Sequence, residues 1–100
     1  MKNFDLKITI LEIKGSCPVY MIGENFFLRK GYKLQAGNAS SVCMHALGSI
    51  LPFHAALSHG VSPKELGLNK SDNNFAYVQC PDACERTGGG TVIFEIEVLK

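Results

Sequence analysis

The sequence has almost no net charge, no long apolar run and no low-complexity tract, and each absence removes a class of function. Lys and Arg number 10 against 9 Asp and Glu, a net charge of +1 over 100 residues. Such a balance gives no electrostatic footprint for nucleic acid or an anionic membrane, so neither is an expected partner. The aromatic residues, from Tyr20 and Phe26 to Tyr77 and Phe94, are spaced as core and sheet residues and form no stacking platform for bases. No apolar stretch approaches the roughly 18 residues that span a bilayer. The opening Met1-Lys2-Asn3-Phe4-Asp5-Leu6-Lys7 mixes charges where a signal peptide would carry a continuous apolar segment, so the expected compartment is the cytoplasm. With no internal repeat and no linker to divide it, residues 1–100 are expected to form a single domain.

What remains is ordinary globular material, 46% apolar and 19% charged, enough to bury a core without covalent staples. Leu6, Ile8 and Ile10 alternate with Lys7 and Thr9, the period of a half-buried strand. Leu11 and Ile13 shift that phase by one residue, which predicts a bulge or burial on both faces. Val19-Tyr20-Met21-Ile22 is β-prone, and turns at Gly23-Glu24-Asn25 and Lys30-Gly31 bound Phe26–Arg29 and a weaker strand at Tyr32-Lys33-Leu34. Cys43, Ala46, Leu47, Ile50, Leu51, His54 and Leu57 then recur at helical spacing after a candidate N-cap at Ser40 or Ser41. Pro52 interrupts the pattern and predicts a kink or two abutting helices, and Gly60 stops it. A capping-box-like Ser62-Pro63-Lys64-Glu65 predicts one further helical turn. Ala76–Gln79 and Thr91–Leu99 close the chain as strands, the last with Val92, Phe94, Ile96 and Val98 on one face and Glu95 and Glu97 on the other. The predicted fold is α+β: a small, mainly antiparallel sheet packed against one central kinked helix, in the order βββ-α-ββ.

The candidate chemistry lies in four cysteines, Cys17, Cys43, Cys80 and Cys84, each near an element boundary where loops converge. In a chain expected to be cytoplasmic, free thiols or metal ligands are favoured over disulfides. Cys17 and Cys80 are each followed by proline, which stiffens the turn presenting the thiol. The Cys-Pro pair recurs beside iron–sulfur ligands and at haem-thiolate sites. Cys80 and Cys84 have a spacing within the range of metal-ligand pairs, and His45 can replace a cysteine in a four-ligand set. An iron–sulfur cluster is the favoured cofactor and zinc the less favoured one. Against this stands the plainer possibility that cysteine behaves as a small apolar residue, as the place of Cys43 on the helical stripe suggests. Cys43-Met44-His45 echoes half of a Rieske motif, but Cys80-Pro81-Asp82-Ala83 has alanine where the second histidine belongs, which rules that site out.

His54 lies in line with Cys43 but about 16 Å along the helix axis, too far to share an ion, and is expected as a hydrogen-bonded core residue. His59 sits where an imidazolium complements a helix C-terminus. A nucleophilic pair of Cys80 or Cys17 with His45 or His54, oriented by Asp82 or Glu85, is a further possibility. Thr87-Gly88-Gly89-Gly90-Thr91 opens a strand rather than a helix, so a connection needing positive φ is favoured over a phosphate cradle.

Gly15-Ser16-Cys17-Pro18-Val19, Gly23-Glu24, Cys43-Met44-His45-Ala46-Leu47 with Pro52, Gly60, Gln79-Cys80-Pro81-Asp82 and Gly89-Gly90-Thr91-Val92-Ile93-Phe94-Glu95-Ile96 make up a pattern. It resembles a widespread prokaryotic family of small conserved hypothetical proteins over nearly the whole chain. The resemblance implies no catalytic role. It singles out Cys17, Cys43 and Cys80 as the family-type positions and leaves Cys84 outside, which suits a cluster with one open or non-cysteine ligand, or a site shared across an oligomer. Three functions follow as expectations. The first is a cysteine-ligated metal-binding accessory or redox protein, the second a metal-free interaction or small-ligand module, and the third a thiol-dependent enzyme. A homo-oligomer or a protein partner is compatible with each.

Overall fold

Strand β1 (Asp5–Gly15) carries the alternation read from the sequence, and Leu6, Ile8 and Ile10 are fully buried along it. The computed structural model describes residues 2–100; Met1, the first residue of the charged opening segment, lies outside them. Strands β2 (Asn25–Arg29), β3 (Lys33–Ala36), β4 (Phe75–Gln79) and β5 (Gly90–Leu99) complete one sheet of order β3-β2-β1-β5-β4, with every neighbouring pair antiparallel. The phase shift in β1 is a bulge. Ile10 pairs with Phe94 but Glu12 pairs with Ile93, and the extra residue, Leu11, lets Ile13 rejoin the buried face opposite Val92.

Val92, Phe94, Ile96 and Val98 of β5 join Phe26, Leu28, Ala76 and Val78 on the same face. Each large side chain buried there contributes roughly 1.5–3 kcal/mol relative to exposure. The opposite face carries Lys7, Thr9, Glu95 and Glu97 and is only partly covered, as expected of an antiparallel sheet with one wet side. Arg29 lies 4.2 Å above the Phe27 ring there, and the Tyr77 hydroxyl donates to Glu95 at 3.2 Å.

Of the kink or two abutting helices that Pro52 predicts, the second is found: two short helices, α1 (Met44–Ile50) and α2 (His54–Ser58), cover the buried face where the predicted fold has one central kinked helix. Pro52 has no N–H to continue the ladder from Gly48. The chain crosses it by a tight turn in which Phe53 N–H donates to Ile50 at 2.9 Å, and Leu57 N–H restarts the helix by donating to Phe53 at 3.0 Å. Ala46, Ile50 and Leu57 are buried against the sheet, whereas Leu51, placed on the stripe by spacing, is 59% exposed. Ser40 and Ser41 do not cap α1; Cys43 is the N-cap. The β-prone Val19–Ile22 is loop, because Tyr20 turns inward while Met21 and Ile22 face solvent. A single helical turn, α3 (Cys84–Thr87), lies between β4 and β5. Ser62–Gly67 forms successive turns, with Lys64 N–H donating to the Ser62 hydroxyl at 3.2 Å.

The topology has one consequence for function. β1 and β4 finish, and β2 and β5 begin, at the same end of the sheet. The loops after β1 and after β4, which carry Cys17 and Cys80, therefore emerge on either side of the start of β5, and the start of α1 with Cys43 is fastened against the first of them by a hydrogen bond.

Candidate functional site

Cys17 follows β1 in a turn that Pro18 stiffens. Because Pro18 has no N–H, the nearest returning donor is further along, and Tyr20 N–H reaches the Cys17 Sγ at 3.4 Å. Cys80 ends β4 with its own N–H on the Val92 carbonyl at 2.8 Å. Pro81 again skips a donor, and Asp82 N–H meets the Cys80 Sγ at 3.4 Å. Such N–H···S contacts are weak hydrogen bonds, but they fix the direction in which each sulfur points. Both Cys-Pro pairs thus build the same device, a sulfur accepting from the backbone of its own turn.

The Cys17 turn and the start of β5 touch closely enough that only glycine fits. A Cβ on Gly90 would lie 2.7 Å from the Ser16 carbonyl carbon and 2.8 Å from the Cys17 nitrogen. A Cβ on Gly15 would lie 2.6 Å from the Gly89 carbonyl oxygen. The glycine run was expected to supply positive φ, and Gly88 does so at φ 75° as the C-cap of α3. Its second use, close approach at Gly90, is what brings the Cys17 turn onto the strand that neighbours Cys80.

Cys43 stands at the N-cap of α1, half-buried, with its N–H donating to the Tyr20 hydroxyl at 2.7 Å. In the first turn of the helix His45 is exposed, and its Nδ1 lies 4.0 Å from the Cys80 Sγ. Cys17, Cys43, Cys80 and His45 therefore line one pocket of about 310 Å³, with Pro18, Val19 and Met44 as its apolar wall and Asp82 on its polar side. The Asp82 carboxylate is held by the Thr87 hydroxyl. Burial pushes the Tyr20 phenol above the usual tyrosine value; the Cys43 N–H works the other way, and the neighbouring Cys43 and Cys17 thiols, when ionised, add to the rise.

All four cysteines are free. Cys84 is set apart from the three-thiol pocket. At the start of α3 it packs towards Gly15 and lines a separate depression of about 330 Å³, which Cys80 also borders, together with Lys14 and Arg86. Among the described residues no three His, Cys, Asp or Glu side chains stand together as a group that could hold a metal ion. His54 and His59 belong elsewhere. His54 Nδ1 lies 2.6 Å from the Gly31 carbonyl with its ring edge-on to Tyr32, and His59 Nδ1 lies 2.6 Å from the Lys2 carbonyl.

Sequence spacing picked out the cysteines and His45 but missed Tyr20, which it took for a sheet residue. The inward alternation of a Tyr just after a Cys-Pro turn was the one signal available. No helix among the described residues is long and apolar enough to cross a membrane. No family model, no curated protein and no solved structure matches the chain.

Proposed function

We propose that the protein is a cysteine-ligated metal-binding accessory or redox protein. An iron–sulfur cluster would be held between Cys17, Cys43 and Cys80, with His45 placed to complete the set. One observation carries this: three thiols from segments remote in sequence line one pocket, and two of them accept backbone N–H bonds. In a polynuclear cluster different thiolates bind different irons, so the sulfurs stand farther apart than around one ion. A single zinc, whose four ligands crowd to about 2.0–2.3 Å from the metal, is the less favoured occupant. Residence in the cytoplasm, where thiols stay reduced, and a protein partner or second copy that exchanges the cargo belong to the same proposal.

The test is iron, zinc and acid-labile sulfide analysis with an absorption spectrum, on protein purified without oxygen or chelators. Stoichiometric iron and sulfide with a broad visible band, lost when Cys17, Cys43 and Cys80 are all changed to serine, are expected. Zinc without a visible band would make this a closed structural site. A folded, colourless, metal-free protein would overturn the proposal and leave a binding module with buried thiols.

A second reading rests on the approach of His45 Nδ1 to the Cys80 Sγ at 4.0 Å, the arrangement of an imidazole beside a nucleophilic thiol. It expects Cys80 to label faster with a small thiol reagent than the other three cysteines, and that selectivity to vanish in His45→Ala.

A further inference from the structure

Tyr20 joins two of the three thiol segments, and the core of the protein holds its ring. The side chain is 4% exposed, stacked on Phe26 of β2 at 6.3 Å and 13°, and edge-on to Phe94 of β5 at 6.0 Å and 85°. Aromatic pairs of this geometry fix a ring in both position and tilt. From that fixed ring two hydrogen bonds reach the pocket. The Tyr20 N–H donates to the Cys17 Sγ at 3.4 Å, and the phenol oxygen accepts the Cys43 N–H at 2.7 Å. No side chain of the helix itself caps α1, so the phenol is what ties the helix start to the Cys17 turn.

We propose that Tyr20 is a positioning residue of the thiol pocket, its phenol oxygen holding Cys43 and the start of α1 against the Cys17 turn so that both cysteines line the same pocket. This rests on the metal reading of the pocket given above. The physical reason is preorganisation. Cys43 is the N-cap of a helix of only 7 residues, and without a tie such an end would sample many positions. Partners outside the ligand shell that orient ligands in this way are worth about 10–100-fold in metal affinity. Tyr20→Phe keeps the ring in its two aromatic contacts and removes only the oxygen.

The experiment reconstitutes the full chain with iron(II) and sulfide under reducing, oxygen-free conditions. It then follows loss of the visible band to a chelator, with urea unfolding in parallel. Tyr20→Phe is expected to lose the centre about ten-fold faster than wild type. Ser58→Ala serves as the stability control: it removes a fully buried hydroxyl on α2 that donates to Ala55 and borders Gly31, and it is expected to lower the urea midpoint without changing that rate. Equal retention in wild type and Tyr20→Phe, or an equal loss in Ser58→Ala, overturns the positioning role. A wild type that takes up neither iron nor sulfide overturns the metal reading itself, and the role with it. A second measurement needs no variant. In the metal-free protein the Cys43 amide is expected to exchange with solvent slowly, and an amide exchanging at the rate of an open helix end would refute the tie.

Discussion

At the scale of the residue, four cysteines in one short chain are not equivalent, and what separates them is their surroundings. Cys17, Cys43 and Cys80 share a pocket; Cys84 does not, although its sequence spacing from Cys80 is the one that resembles a ligand pair. Serine at Cys17, Cys43 or Cys80 is therefore expected to abolish or sharply lower bound iron, whereas Cys84→Ser keeps it. Metal analysis of the four single variants decides this, and loss of iron in Cys84→Ser alone would move the site to the other depression. A second residue-scale prediction concerns Asp5. Its carboxylate accepts the Lys30 N–H at 2.7 Å and the Arg29 guanidinium at 3.2 Å, and these hold its pKa below the ordinary aspartate value, the backbone bond foremost and against a smaller burial effect. A depressed folded-state pKa stabilises the protein above the unfolded-state value, and that contribution is lost as pH falls through the folded value. Asp5→Asn is expected to cost about 1 kcal/mol at pH 7 and progressively less below about pH 4. Urea titrations of both proteins at the two ends of that range check it. The cysteines could be singled out by type and position alone. Tyr20 could not, because a tyrosine in a β-prone run looks the same whether it faces a sheet or a thiol.

At the scale of the element, periodicity was legible wherever the local pattern and the tertiary contacts agree. The alternation in β5 and the bulge in β1 are written in the residues, since a slip of one position would turn every buried side chain to the wet face. The helix was legible as a stripe, and its division was legible from Pro52, which removes a backbone bond; apolar spacing alone runs on through Leu51 and His54 and does not register the break. The glycines divide by the same logic. Gly48 sits exposed in α1 with nothing within 4 Å of an added Cβ, so Gly48→Ala is expected to stabilise by about 0.5–1 kcal/mol through helix propensity and a less flexible unfolded chain. Gly90→Ala puts its Cβ at 2.7 Å from backbone that cannot swing aside, and is expected to cost about 1–3 kcal/mol and to weaken metal retention by pushing the Cys17 turn off the strand. Thermal unfolding of the two variants should shift in opposite directions. Both changes are glycine to alanine, and the sequence alone cannot tell them apart.

At the scale of the whole molecule, the antiparallel order β3-β2-β1-β5-β4 does what no local pattern records: it sets the exits of β1 and β4 on either side of the start of β5. Cys17 and Cys80 line one pocket because β1 and β4 both pair with β5, β1 from Asp5 opposite Leu99 to Gly15 opposite Gly90 and β4 up to Gln79 opposite Ile93. The pocket borders the core through Cys80, but the largest buried side chains lie away from it. Phe26, Phe94, Ile8, Ile10, Ile50 and Ile96 are all less than 2% exposed, and none lines the thiol pocket. A small domain folded by its metal has no such core and unfolds when the metal is removed. Here the sheet and helices are expected to stand without it. Removing the bound metal with a chelator should leave the far-ultraviolet circular dichroism and a single cooperative unfolding transition intact. The midpoint should fall only by the linkage contribution of the lost ligand, about 2.7 kcal/mol when free metal is at 100 times its dissociation constant. Ile96→Ala, by contrast, is expected to cost about 2–5 kcal/mol whether metal is present or not. If chelation unfolded the chain, the thiol pocket would have to be counted as part of the core, and the independence of site and fold argued from those buried side chains would be wrong.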